Sequence, residues 1–156
     1  MPTMPWTPLA ATEPDREYPV MATRFVLSQR RHLPAVVRST HALWPALTRS
    51  GGLLGYSLHL DLPRRTLGTL SVWRDGDAVE AFVHSEPHAL VVAQTRAWMA
   101  DSTFVTWTVP GAQLPVNWKQ ARERLDTNTG QSARRHRADE TALRPAAAAP
   151  GSGAPL

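Results

Sequence analysis

The order of apolar and polar positions along the chain predicts four strands. Residues 20–28 are apolar and β-branched except at Arg24, which indicates a largely buried strand. Residues 53–62 alternate between large apolar and small or polar side chains, and the run 66–73 follows closely enough to form a hairpin with them. A last run of β-branched and aromatic residues, 102–109, predicts the fourth strand.

Two helical segments are predicted between these strands. Residues 31–49 have apolar side chains near helical spacing, and we expect a kink at Pro45 because proline cannot donate a hydrogen bond to the preceding turn. The second segment follows a turn with an N-cap candidate at Asp75-Gly76-Asp77 and is broken at Pro87, a residue type that can open a new helix. The resulting order, β-α-β-β-α-β, is that of a ferredoxin-like α+β domain with an antiparallel sheet.

The two ends of the chain differ in composition from this central part. Prolines recur through residues 1–19, and because proline fixes φ and lacks an amide donor, we expect an irregular arm there. Residues 20–128 form the predicted domain, with a short helix near its end that packs Trp118 and Leu125. Residues 129–156 have few large apolar side chains to offset the entropy of ordering, so they are predicted to be disordered.

Composition excludes several classes of protein. The 156 residues include no cysteine, which rules out disulfides, thiolate nucleophiles, iron–sulfur clusters and thiolate zinc sites. The 17 basic and 13 acidic residues give a formal charge of +4, but most of this excess lies in residues 119–156. Because the predicted domain has no basic stripe, we do not expect nucleic acid as a partner.

We also expect no membrane span and a cytoplasmic location. No run approaches the roughly 20 apolar residues that a spanning helix requires. The first residues carry prolines and acidic groups where a signal peptide has a basic start followed by an apolar run.

The first and fourth predicted strands are apolar on both faces. A ferredoxin-like domain of this size covers one face of its sheet with helices, so something else must cover the other face. Pairing between the sheets of two identical chains is the simplest solution, and we therefore predict a homodimer.

Residues 55–88 carry a resemblance to a known superfamily. They contain a strand that ends in Trp73, an acidic turn at residues 75–77, a helix with Ala81 and Phe82, and the sequence Ser-Glu-Pro-His at 85–88. This combination resembles the antibiotic-biosynthesis-monooxygenase-like proteins of the dimeric α+β barrel superfamily, and in particular a related bacterial domain family of unknown function.

The resemblance implies a ferredoxin-like protomer, a dimer formed through the sheets, and a pocket between sheet and helices. Proteins that resemble this pattern include cofactor-independent oxygenases of aromatic polyketides, haem-degrading proteins, haem-using carotenoid oxygenases, polyketide cyclases and proteins without known activity. The fold does not choose among these functions.

Three residues are candidates for catalysis. His88 lies at a helix start, where a neutral imidazole could act as a general base or ligate haem iron. The alternative is that it caps the broken helix or packs on Trp73. His41 is a second candidate base. Arg24 could stabilise a developing negative charge, or instead form an ion pair with Glu80 or Asp101.

Aromatic side chains are the candidates for binding a substrate. They come from both predicted helical segments and three of the strands, and could offer a flat molecule a stacking surface, although aromatic residues at such spacing are more often simply core. These residues are Trp44, Tyr56, Trp73, Phe82 and Trp107.

Other polar patterns indicate no additional site. His84 and His88 have a zinc-like spacing, but Pro87 lies between them and further ligands are not evident, so we predict no metal site and a solvated His84. His59 and Asp61 lie along one strand face without a converging nucleophile, and we expect them at the surface or in a dimer interface.

Three hypotheses for function follow. The first is a small monooxygenase-like enzyme that acts on a hydrophobic aromatic or polyketide-like molecule and could do so without a cofactor. The second is a haem protein with His88 as axial ligand. The third is a dimeric ligand-binding or accessory module without catalysis, which predicts that the protein's own tryptophans fill the pocket.

Overall fold

An open, antiparallel sheet forms the centre of the molecule. The computed structural model describes residues 3–49 and 51–142, with side chains as far as residue 130. The described sheet has five strands in the order β1-β3-β4-β2-β5. These strands are β1 (Thr7–Pro8), β2 (Glu17–Leu27), β3 (Leu53–Asp61), β4 (Thr66–Trp73) and β5 (Met99–Pro110).

Helices lie on both faces of this sheet. They are α1 (Leu33–Ala42), α2 (Trp44–Arg49), α3 (Gly76–Val83), α4 (Glu86–Thr95) and α5 (Trp118–Ala142). With β1 and α5 set aside, the element order and the central position of β2 and β4 are those of the predicted ferredoxin-like α+β domain, which is confirmed. No helix in the described ranges combines the length and apolar character needed to cross a membrane.

The helix breaks occur where the sequence predicts them. The first helical segment is divided at Leu43, directly before the Trp44-Pro45 pair, because Pro45 supplies no amide donor. Asp75 caps α3, its carboxylate accepting a 2.8 Å hydrogen bond from the amide of Ala78. Ser85 lies between α3 and α4 in an extended conformation, so Pro87 falls in the first turn of a new helix.

The alternation of side chains along β2 sends two sets of residues to opposite faces. Val20 and Ala22 belong to a core that includes Leu70 and Leu125, and so face α5. Met21 lies between them in sequence and packs on the other face, with the core formed by the first four helices. Both sheet faces are therefore apolar because both are covered by parts of the same chain.

The second face is covered by α5 and the N-terminal arm. Ala121 and Leu125 of α5 are buried there, at 0% and 1% exposure. In the arm, Trp6 packs so closely on β3 that a Cβ added at Gly55 would lie 2.3 Å from its ring. Coverage of this face was the reason to predict a sheet-to-sheet homodimer, and this single chain supplies its own. The homodimer stays a prediction.

Both chain ends contain secondary structure that the sequence does not predict. Part of the arm, Thr7–Pro8, pairs with β3, and β2 begins at Glu17 rather than at residue 20. Helix α5 continues to Ala142, across the boundary predicted at residue 129, because arginine, alanine and glutamine favour helix even without a strong apolar face. Residues 143–156 of the predicted disordered tail lie outside the described residues.

Candidate functional site

A cavity of about 630 Å³ lies between the sheet and the first four helices. This volume is within the usual range for small-molecule sites, about 300–1,000 Å³. Most of its wall is apolar, from Met21 and Phe25 on the sheet to Leu43, Leu47 and Val91 on the helices. The pocket that the resemblance implies is therefore present.

Hydroxyl groups line the part of the cavity formed by the sheet. Thr23 of β2 and Thr69 of β4 are cross-strand neighbours whose side chains are hydrogen-bonded to each other. Beside them, the Ser71 hydroxyl accepts a 2.9 Å hydrogen bond from Nε1 of Trp73. Tyr56 lies across from Ser71 on β3 and also borders the cavity. An apolar ligand would thus meet a polar stripe on one side.

Two aromatic pairs contribute to the wall of the cavity. Trp44 and Tyr56 meet edge to face with their ring centroids 3.9 Å apart. Trp73 and Phe82 are tilted with centroids 5.2 Å apart. All four residues line the cavity, where such rings can stack on a flat ligand. Their role in binding a substrate stays a prediction.

His88 is the histidine that lines this cavity. Its Nδ1–H donates a 2.9 Å hydrogen bond to the carbonyl oxygen of Val83, and its ring meets that of Phe82 edge to face at 4.8 Å. Because Nδ1 carries the proton, Nε2 of the neutral imidazole has a free lone pair. The same nitrogen can accept a proton or ligate a metal.

The cavity also includes residues that sequence reasoning missed. Arg96 and Asp101 border it beside Val92 and Phe104, and Phe104 is 68% exposed. They lie where the chain passes from α4 through the helical turn Arg96–Trp98 into β5. No spacing within one element could have revealed that this junction borders the cavity.

Arg24 is a correction to the predicted site. It lies on the opposite face of the sheet, where its guanidinium bonds Asp126 and donates a 2.9 Å hydrogen bond to Thr129. Both partners belong to α5, so the ion pair is with neither Glu80 nor Asp101. Alternation along β2 is the physical reason, because Arg24 follows Val20 and Ala22 on their face. It does not border the cavity.

Trp107 and His41 also lie away from the cavity. Trp107 packs with the α5 core, and the guanidinium of Arg124 lies 4.9 Å from its ring centroid. His41 is exposed and stacks against Trp44 with centroids 6.4 Å apart, outside the residues that line the cavity. The structure therefore brings His88, but not His41, to the predicted pocket.

His59 and Asp61 are buried rather than at the surface. His59 is hydrogen-bonded to the hydroxyl of Thr3 at 2.7 Å. Burial and the nearby positive charge of Arg122 lower the pKa of this imidazole, against an opposing effect of Asp61. A hydrogen bond from Arg64 lowers the pKa of Asp61. Thr3 of the arm and Trp118 of α5 cover His59, which the strand pattern could not show.

The prediction for His84 agrees with the structure. It is exposed, and its Nδ1 donates to the carbonyl of Glu80 at 2.9 Å. Among the described residues, no group of three His, Cys, Asp or Glu side chains could hold a metal ion.

Comparison with known proteins identifies the family. Residues 29–147 match a family model described as a domain of unknown function, DUF3291. The chain belongs to this family. A search of curated proteins finds no match to this DUF3291 chain.

Solved structures share the fold of the DUF3291 chain at low sequence identity. A candidate monooxygenase from Fusobacterium nucleatum is 13% identical at a TM-score of 0.55, over 64% of this chain but only 45% of its own length. A candidate antibiotic biosynthesis monooxygenase from Nitrosomonas europaea is 11% identical at a TM-score of 0.52, over 57% of this chain and 95% of its own. Another antibiotic biosynthesis monooxygenase is 20% identical at a TM-score of 0.51, over 58% and 95%.

This likeness shows the fold alone. The DUF3291 domain therefore has a monooxygenase-like α+β fold, in agreement with the resemblance in residues 55–88. What the domain does must be argued from its own cavity.

Proposed function

We propose that this domain is a small oxygenase that acts on a flat, hydrophobic aromatic molecule, with His88 as its general base. The observation that supports this most is the position of the His88 imidazole beside a cavity of about 630 Å³ with six aromatic residues in its wall. Stacking would hold the rings, while the hydroxyls of the sheet would orient an oxygen substituent.

The proposed reaction consumes one substrate molecule and one O₂. Nε2 of His88 removes a proton from an acidic CH₂ group of the ring system. The carbanion transfers electrons to O₂ and a C–O bond forms, after which the proton returns to the outer oxygen and gives a hydroperoxide. Loss of water then breaks the O–O bond and leaves a C=O group. One oxygen atom enters the product, and the other leaves as water.

An activity test separates His88 from the other candidate base. Anthrone, a flat tricyclic molecule with one acidic CH₂ group, is a suitable probe, with O₂ uptake and quinone formation as readouts. We expect His88→Gln to lower kcat by about 100-fold or more, as loss of a general base does. His41→Gln is the matched control and should leave kcat unchanged, because His41 is exposed and outside the cavity.

Turnover by His88→Gln at the wild-type rate would overturn the assignment of the base. Far-UV circular dichroism of both variants shows whether they keep the wild-type fold. Equal losses in the two variants would likewise contradict the proposal, since only one of these histidines borders the cavity.

Haem binding is a second proposed function, and it uses the same nitrogen. A histidine that ligates a metal through Nε2 commonly donates its other N–H to a carbonyl, as His88 does to Val83. Haem would supply an iron centre for O₂ chemistry, and Arg96 is a cation available to a propionate. Titration with haemin should give a Soret shift that His88→Gln abolishes and His41→Gln preserves. An unchanged Soret band would exclude this function.

The accessory-module hypothesis predicts a pocket filled by tryptophan, and the structure differs from that expectation. Trp44 and Trp73 border the space, yet about 630 Å³ remains between sheet and helices. An open cavity supports ligand binding, and turnover of the probe separates an enzyme from a binding protein.

A further inference from the structure

The junction between α3 and α4 leaves a backbone carbonyl without its helical donor. In a continuous helix, the carbonyl of Val83 would accept a hydrogen bond from the amide four residues later. That residue is Pro87, which has no amide hydrogen. The chain also turns at Ser85, whose backbone is extended (φ −67°, ψ 146°), so the two helices are separate.

The side chain of the next residue takes the place of this donor. Nδ1–H of His88 donates to the Val83 carbonyl oxygen at 2.9 Å. The residues around the break are bonded elsewhere: the amide and hydroxyl of Ser85 both donate to Phe82, at 3.0 and 2.7 Å. The Val83 carbonyl thus accepts its hydrogen bond from the imidazole rather than from a backbone amide.

This contact determines which nitrogen of His88 carries the proton. A neutral imidazole has one N–H and one lone pair, and a carbonyl can pair only with the N–H. Holding the proton on Nδ1 keeps the lone pair on Nε2, the nitrogen that both proposed functions of the cavity require.

We infer that Pro87 is a positioning residue that acts through the Val83 carbonyl to hold His88 as the Nδ1–H tautomer. Pro87 contributes by omission, because with an amide at this position α3 and α4 would be free to join as one helix, in which that amide would bond the Val83 carbonyl in place of His88. The inference rests on the proposed function only in giving the Nε2 lone pair a use. The hydrogen-bond arrangement itself can be tested without a substrate.

The chain contains a matched control for this role. Pro34 is the second residue of α1, just as Pro87 is the second residue of α4. Both prolines occupy the first helical turn, where an amide has no intrahelical partner. Pro34→Ala therefore repeats the backbone change of Pro87→Ala at a distance from His88.

Nitrogen-15 NMR of the full chain labelled at histidine tests the inference. Spectra are recorded at about pH 9, above the range in which histidines ordinarily titrate, and His88 is assigned by the loss of its signals in His88→Gln. For the wild type we expect a protonated Nδ1 and an unprotonated Nε2. In Pro87→Ala the two shifts should converge as the Nε2–H tautomer gains population, whereas Pro34→Ala should match the wild type.

Three results would overturn the inference. A wild-type spectrum with the proton on Nε2 overturns the inference even if Pro87→Ala does not fold. So does a folded Pro87→Ala with wild-type His88 shifts, or an equal change in Pro34→Ala. If the shifts behave as expected but anthrone is not oxidised and haemin not bound, the positioning role stands and the proposed functions fail.

Discussion

At the scale of single residues, the environment of a side chain follows from strand alternation only in part. The face of Arg24 can be predicted from Val20 and Ala22, which share its parity along β2. Its partner, Asp126, could not be predicted because it lies on α5, about 100 residues away, and no local pattern relates the two. The same holds for His59, whose cover comes from the arm and from α5.

His59 should make stability dependent on pH. Its pKa in the folded protein is lowered, chiefly by burial and also by Arg122, with Asp61 opposing and Thr3 hydrogen-bonded to the ring. The unfolded chain therefore binds a proton more readily, so stability is complete above the unfolded value of about 6.5 and falls as the pH drops below it.

We expect the midpoint of thermal unfolding to decrease between pH 7.5 and 5, and His59→Gln to make this decrease smaller. His84→Gln is the control, because His84 is exposed and should leave the slope as in the wild type. Identical slopes in all three proteins would refute the role of His59. The pKa values of Asp61 and Asp75 are lowered, so the stabilisation that these carboxylates provide is lost only in a more acidic range, below about pH 4.

At the scale of helices and strands, short-range sequence signals were sufficient to predict where helices begin and break. Proline and N-cap residues predicted both helix breaks and the start of α3, because these depend on amides within one turn. The length of α5 was missed because its apolar contacts end early: Leu125 is buried, while the helix continues to Ala142. The position of Arg96 in the cavity wall was missed for a related reason, since this residue lies between α4 and β5.

The cap at Asp75 should stabilise α3 measurably. Its carboxylate accepts from the amide of Ala78 and also bonds Arg74. We expect Asp75→Ala to lower the free energy of unfolding, as the loss of an N-cap does. Asp77→Ala, in the same turn but not at the N-cap, should cost less than half as much in urea unfolding. Equal costs would show that charge in this turn, rather than the cap, is what matters.

At the scale of the whole molecule, one sheet carries two different layers. The first four helices enclose the cavity, whereas α5 and Trp6 close the opposite face. The ferredoxin-like pattern predicted the first layer and the need for a second. It could not show that the same chain provides both, because α5 follows the pattern and makes its contacts at long range.

Two truncations test the closing layer. Ending the chain after residue 130 keeps Ala121 and Leu125, and we expect a protein with a wild-type melting temperature. Ending it after residue 115 removes α5 and exposes the apolar face around Val20 and Leu70, so the protein should aggregate or pair through its sheets in size-exclusion chromatography. A stable monomer of the shorter chain would contradict this account of α5.

The order of synthesis gives this layer a further consequence. Residues of β2 such as Val20 and Ala22 leave the ribosome early, but their cover, with Leu125, is made roughly 100 residues later. Until then only Trp6 of the N-terminal arm is available to cover this apolar sheet face, and the part that packs on Leu125 stays uncovered. Folding of the final layer must therefore wait for α5, and chains released before it is complete are the ones most exposed to aggregation.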